Sequence, residues 1–483
     1  MRLRVKEVNL SAGHVLIAIL SKEDAKHLDV NANDRIDING TKVIVNVSSK
    51  GVSKGTIGLF EESLKTLKLK PNEFVNVKTS AKPRGIEYIE KKLRGKKLEK
   101  EEIERIIQEV VKNELNEAEI AYFISGCYTR GMSDEEIIYL TNAMVKSGKI
   151  LNTKNKKVLD KHCVGGVPGN RTSMIIAPIV AAAGFVMPKT STRSITSPSG
   201  TADTMETLAD VSLTKEKIEK VIKKTNACLV WGGALDLANA DQPIIRVERF
   251  LMLDIQPILL SSILSKKKSV NAQYVIVDIP IGKTAKIKSK RTANVLKRRF
   301  IKIGKLLGMK IKVVITDGSQ PVGNGIGPVL EAIDVLNVLR GDGPKDLMDK
   351  SIFLATELLD LAGVKHARSK VLNILNSGKA YEKMKEIIKA QGKNVHRLKV
   401  GKYFKIIQAS KSGIISEIDN ERLSKLARIL GSPEDKGAGI YLSVKKGYKV
   451  KKQQPIFTMY AESKKKLEFA LEELDERYPM KIV

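Results

Sequence analysis

The chain has 483 residues, 42% of them hydrophobic and 29% charged, enough for about three domains of ~150 residues with sizeable cores and a hydrated surface. No apolar run approaches the ~20 residues that span a bilayer, and three scattered cysteines (Cys127, Cys163, Cys228) with no CxxC or HExxH pattern argue against a disulfide framework and a structural zinc site. The net charge of +31 fits a nucleic-acid binder or a lysine-rich solvated surface; lysine spread along the whole chain and only 5% aromatic residues favour the surface, so no nucleic-acid and no membrane partner is expected, while anionic substrates are attracted.

The opening MRLRVKEVNLSAGHVLIAIL is basic and then apolar, but Ser11, Gly13 and His14 interrupt it and no small-residue cleavage site follows. It reads as strand, and a cytoplasmic location is expected. Residues 1–82 form a β-rich module. Asn39-Gly40, between alternating apolar positions, predicts a hairpin with Val43, Val45 and Val47 on one face. Gly51, Gly55 and Gly58 predict further turns, and Ser80–Gly85 a linker.

A helical domain is predicted over 83–155, joined by part of about 215–250. Apolar spacing marks helices at 99–112 and 116–124, and Ser133-Asp134-Glu135-Glu136 is a capping box opening a helix with Ile137, Leu140 and Met144 on one side. Residues 156–400 read as a large mixed-sheet α/β domain, with core strands at 184–188, 274–279 and 311–315. Residues 401–483 read as a C-terminal α/β module, rich in glycine and ending in a helix at about 462–476.

Two segments carry the chemistry. In DKHCVGGVPGNRTSM (160–174) a glycine-rich loop runs into an apolar helix, so backbone N–H groups and the helix dipole can meet an anion. It is neither a Walker A loop nor GxGxxG. The glycines alone fit an ordinary loop better; Lys161, Arg171 and two hydroxyls tip the reading towards an anion site. In KTSTRSITSPSGTAD (189–203) a run of hydroxyls with Arg193 follows a predicted strand, where open α/β sheets bind ligands. Asp254 lies among Leu251, Met252, Leu253, Ile255 and Ile258; burial there would raise its pKa, yet alone it reads better as a turn former before Pro257. His162 is read as a supporting residue. Lys266, Lys267 and Lys268 read as a solvated basic face with Lys266 lining the pocket, and Lys286, after a strand, as reaching the base or ribose.

On KHCVGGVPGNRTSM, STRSITSPSGTADTMETLADV, WGGALDLANAD, LDIQPILLSSILSKK and TDGSQPVGNGIGP the chain resembles, over nearly its whole length, the pyrimidine-nucleoside and thymidine phosphorylase family, most closely its archaeal branch. The resemblance implies phosphorolysis of nucleoside 5′-monophosphates: AMP and phosphate give adenine and ribose 1,5-bisphosphate, with CMP and UMP as further substrates, phosphate as co-substrate and no cofactor or metal. It implies phosphate contacts at Lys161, Cys163, Ser173, Ser191 and Thr201. Nucleotide contacts fall at Gly166, Thr192, Arg193, Ser194, Ile195, Thr196, Ser197, Thr201, Ser262 and Lys286, and the proton donor at Asp254. Cys163 departs from the serine usual in nucleoside phosphorylases, and Asn239 from an expected proline. The TDGSQPVGNGIGP segment is read as scaffold. Substrates are expected in a cleft that closes about a hinge near 155–160, and the terminal modules in assembly of a homo-oligomer. The rivals are a thymidine or uridine phosphorylase, a phosphoribosyltransferase and a basic nucleic-acid-binding protein.

Overall fold

Asn39 and Gly40 take φ of 52° and 82°, the left-handed pair that a two-residue hairpin requires, and Ile38 faces Thr41 across the turn. This is a computed structural model, which describes residues 1–13, 15–153, 157–194, 197–235, 239–251, 255–392, 398–476 and 478–483. The hairpin belongs to a closed barrel of six strands: β1 (Arg2–Glu7), β2 (Ile17–Ser21), β3 (Arg35–Ile38), β4 (Thr41–Ser48), β5 (Thr56–Leu59) and β6 (Phe74–Thr79), ordered β1-β5-β2-β4-β3-β6. Short helices α1 (Lys22–His27) and α2 (Glu61–Leu67) join strands. Alternation puts Leu3, Val5, Leu20, Ile36, Val43, Val45 and Ile57 inside, and closure leaves no free edge. Gly58, predicted as a turn, sits within β5, where a Cβ would press on Val8 and Val52 at 2.9 and 3.0 Å.

The chain divides into two units, Met1–Ser147 with Asn239–Ile258, and Gly148–Ala238 with Leu259–Val483. Beside the barrel the first holds α3 (Gly85–Leu93), α4 (Lys100–Val111), α5 (Glu117–Arg130), α6 (Asp134–Lys146) and, from the later segment, α10 (Asp241–Leu251), which packs on α5. The Ser133 capping box is present in both directions, and Ile137, Leu140 and Met144 are buried. Glu136 also accepts from buried Lys92 at 2.7 Å and from the Leu98 nitrogen at 3.0 Å. Arg35 of β3 donates to the Glu114 carbonyl at 2.8 Å and pairs with Glu119, fixing barrel to helices.

The second unit is built on a parallel sheet: β7 (Leu159–Cys163), β8 (Met187–Ser191), β9 (Ala227–Trp231), β10 (Tyr274–Ile281) and β11 (Lys310–Asp317). A bridge between Val158 and Val186 lays β8 beside β7, so the order is β11-β10-β7-β8-β9. Strand β8 begins three residues later than expected, because Gly184, at φ 93°, still belongs to the turn out of the preceding helix. The crossovers are α7 (Thr172–Ala182), α8 (Thr201–Glu206), α9 (Lys215–Thr225), α11 (Gln256–Ser269) and α12 (Lys290–Leu306). Of the 215–250 segment, α9 packs on β9 within this unit, while 239–250 lies in the first. After β11 come α13 (Pro328–Arg340), α14 (Lys345–Leu361), α15 (Ala367–Asn376) and α16 (Lys379–Gln391), whose apolar faces bury α7.

The C-terminal part holds antiparallel sheets with orders β12-β15-β17-β13 and β16-β14-β18. Their strands are β12 (Gly325–Ile326), β13 (Tyr403–Gln408), β14 (Gly413–Ile418), β15 (Gly439–Leu442), β16 (Lys449–Val450), β17 (Pro455–Ala461) and β18 (Met480–Ile482). The expected terminal helix is α18 (Lys464–Glu476); α17 (Asn420–Ile429), capped by Asp419, was not expected. The TDGSQPVGNGIGP segment supplies β12, which pairs with β15, so it ties this part to the α/β core.

Candidate functional site

Chain order runs outward from β7 in both directions, β8 and β9 to one side and β10 and β11 to the other. The loops after β7 and β10 therefore leave at a switch point, where parallel sheets open a ligand crevice. Those loops touch. Gly166 has φ 83°, and a Cβ there would lie 2.2 Å from the Lys286 nitrogen, so only glycine lets the two backbones meet. Lys161 on β7 is 1% exposed and its Nζ donates to Thr172 Oγ1 at 2.7 Å, at the start of α7. Thr172 donates to Asn170 at 3.2 Å, and Asn170 Nδ2 to Cys163 Sγ at 3.3 Å. Ser173, also buried, lies in the first turn of α7. Burial lowers the Lys161 pKa and raises that of Cys163, so the thiol is protonated at neutral pH.

Arg171 does not reach outwards as a free cation. It is buried, forms an ion pair with Glu331 of α13, and donates to Thr204 Oγ1 at 3.1 Å and to the Ser199 carbonyl. The glycine-rich loop and the hydroxyl-rich loop are thus clamped together by one guanidinium.

In the second loop Ser191 Oγ donates to the Val230 carbonyl at 3.1 Å. Arg193 forks onto Glu206 at 2.8 and 2.5 Å, reaches Asp203 at 3.2 Å and stacks 4.9 Å from the Trp231 ring. The hydrogen bond from Arg193, with help from Lys436 against burial, pulls the Glu206 carboxyl down to about 2. Asp203 accepts from the Ser194 and Gly200 nitrogens at 2.7 and 2.8 Å. Ser197 donates to the Ser199 carbonyl at 2.7 Å, and Thr201 opens α8 close behind Thr192. Arg193 therefore shapes the loop. Two buried polar atoms at the ends of adjacent strands, Thr190 Oγ1 and Trp231 Nε1, have no hydrogen-bond partner among the described residues.

Ser262 on α11 is buried and accepts from Lys266 at 2.7 Å; Lys286 is half-buried in the loop against Gly166. Ile195, Thr196 and Asp254 lie outside the described residues, as do residues 155 and 156 of the expected hinge near 155–160.

Sequence reasoning missed a charged layer inside the sheet. Asp160 accepts from Lys267 at 2.6 Å and faces Lys189 at 3.7 Å, while Lys189 donates to the Lys161 carbonyl at 2.9 Å. Lys267 is fully buried, contrary to the solvated face expected for the lysine run, because helical spacing turns the middle lysine inward to meet Asp160. Burial, reinforced by Lys267, pushes Lys189 down to about 7. Burial and the surrounding lysines hold His162 well below its ordinary value, so it is neutral, as a supporting residue would be. Asp278 accepts from Thr316 at 2.6 Å and pairs with Lys350 at 3.1 Å. The available signal was a charge inside an apolar strand, as in YVIVDIPI. Among the described residues no His, Cys, Asp and Glu group could hold a metal.

Residues 86–148 match the glycosyl transferase family helical bundle domain, 155–381 its a/b domain, and 414–481 the pyrimidine nucleoside phosphorylase C-terminal domain. An AMP phosphorylase of Pyrococcus furiosus is 43% identical, over 100% of this chain and 98% of its own. One from Thermococcus kodakarensis is 41% identical over 98% and 96%, and one from Thermofilum pendens 39% over 99% and 95%. Among solved structures, anthranilate phosphoribosyltransferase (TrpD) from Thermus thermophilus superposes with a TM-score of 0.53 at 18% identity. That likeness covers 63% of this chain and 98% of that one, and it concerns fold alone.

Proposed function

Because the chain belongs to the AMP phosphorylase family, we propose that it is a pentosyltransferase that splits AMP with inorganic phosphate into adenine and ribose 1,5-bisphosphate. A phosphate oxygen bonds to C1′ as the C1′–N bond breaks, and a proton passes to the departing base. The observation that carries the reading is the clamp of Arg171 across both loops, with Gly166 packed on Lys286, at the switch point of a parallel sheet. Phosphate is held by Lys161, Cys163, Ser173, Ser191 and Thr201. Hydroxyl and amide donors along 190–201, with Gly166, Ser262 and Lys286, take the ribose and its 5′-phosphate. Asp254 protonates the base, its apolar sequence neighbours keeping the carboxyl neutral at working pH. CMP and UMP are further substrates, no cofactor is used, and the enzyme is cytoplasmic and homo-oligomeric.

The test is incubation with AMP, CMP, UMP, adenosine and thymidine, each with and without phosphate, followed by detection of free base. Base is expected from the monophosphates only when phosphate is present. Release from adenosine but not from AMP overturns the substrate and favours a nucleoside phosphorylase. Asp254→Asn should lower base release by about 100-fold or more with nucleotide binding retained; full activity would dismiss Asp254 as the acid.

A further inference from the structure

Between Asp278 and Asp317 the chain has no acidic residue and twelve lysines and arginines, so 279–316 holds +12 of the net +31. The even spread of lysine that argued for a merely solvated surface fails here, although Lys283 is paired with Glu417 and Lys312 with Glu357 and Asp360. Helix α12 lies in the middle of this stretch. Its apolar side, Ala293, Leu296, Phe300 and Ile303, is buried and the helix packs on β10 and β11. Its other side is exposed and presents Arg291, Arg298 and Lys305 at seven-residue intervals, two turns or about 10.5 Å apart. Helix α9 is different: it interleaves lysine with glutamate and sets Lys215 3.8 Å from Glu219.

We propose that the exposed face of α12 binds the phosphate backbone of a nucleic-acid duplex. Attraction of AMP and phosphate to the crevice needs only the cations near Lys286; Lys305 lies about 20 Å further along the helix, beyond a Debye length at physiological salt. A polyanion of that length uses the whole row. Insertion into a membrane needs a broad free apolar face; that of α12 is in the core, and its exposed side offers only Ile301 and Leu306 between the cations. The single aromatic residue of the stretch, Phe300, is buried, so bases have nothing to stack on, which favours a duplex over a single strand and contact without sequence preference.

The test is fluorescence anisotropy of labelled RNA and DNA duplexes with the full-length protein across a KCl series. With three cations engaged, log K should fall against log salt with a slope of roughly −2.7 for at least one duplex. Combining Arg291→Gln, Arg298→Gln and Lys305→Gln should weaken binding at low salt at least ~10-fold and flatten the slope towards about zero. Saturated phosphorolysis should be unchanged, which also reports that the variant is folded. Arg298→Lys, which keeps the charge, should bind like wild type. Three neutralised lysines on α9 (Lys220→Gln, Lys223→Gln, Lys224→Gln) should leave binding intact. The proposal is overturned by no binding to either duplex at the lowest salt, by an equal loss in the α9 variant, or by association only with phosphatidylserine vesicles.

Discussion

Gly166 has no room for a methyl group, since the Lys286 backbone occupies that space at 2.2 Å and the φ of 83° is strained for any other residue. Gly166→Ala must push apart the two loops that we propose hold phosphate and nucleotide. We expect it to cost about 1–3 kcal/mol of stability by denaturant melt and at least ~100-fold in kcat/KM, since small misplacements of reacting groups cost about that much. Wild-type kinetics in a folded variant would remove the loop contact from the mechanism. Lys189 gives a second residue-level prediction. Folded, it gives up its proton near pH 7; unfolded, it does so near ~10.4. Between these values the unfolded state binds more protons, so the Lys189 contribution makes stability rise with pH, by at most ~1.4 kcal/mol per unit. Below pH 7 the penalty for the buried charge is present in full. Lys189→Met should remove that rise, and urea melts at pH 6 to 9.5 would show it as a narrowing gap between variant and wild type. A constant gap would mean that Lys189 stays charged throughout.

At the scale of elements, α7 is placed by its entry loop, and the loop by Arg171 and Glu331, a pair 160 residues apart with side chains 9% and 0% exposed. Removing one partner strands a buried charge, so Glu331→Ala should destabilise by about 3–5 kcal/mol and raise the KM for phosphate as the loop loses its clamp. Arg171→Met combined with Glu331→Met should recover part of the stability but not the KM; recovery of both would reduce the pair to packing. That separation in sequence also explains what could be read beforehand. The hairpin at Asn39-Gly40, the box from Ser133 to Glu136 and the strands β10 and β11 were legible, because each is dictated by neighbours within a few residues. The closure of β1 on β6, and β12 reaching from the β11 loop to β15, depend on pairings far apart in the chain. The site divides in the same way. Lys161, Gly166 and Ser173 share one motif and could be found there. That Arg193 is committed to Asp203 and Glu206, and that Asp160 gathers Lys189 and Lys267, follows only from the folded neighbourhood.

For the whole molecule the dominant fact is charge. A protein of net +31 acting on AMP and phosphate, both of them anions, should capture them with help from its field. Part of that charge is near the crevice, since the loop after β10 carries Lys286 and Lys288, while its Lys283 is paired with Glu417 at 2.8 Å. Screening shortens the reach of this field from about 30 Å at 0.01 M salt to about 8 Å at 0.15 M. The expected result is a several-fold fall in kcat/KM for AMP between these conditions, with kcat at saturation nearly constant, because capture feels the field and the bound complex does not. Competition by the added anion for the phosphate site would mimic this, so the series should be run in chloride and in acetate at matched ionic strength. Screening gives one curve for both salts; competition gives two. Neutralising Arg298 and Lys305, far along α12, should leave the curve where it is, whereas Lys288→Gln should flatten it. A kcat/KM indifferent to salt would mean that the loop charge is already offset by the surroundings of the crevice, and that the basic character of this chain serves something other than its small substrates.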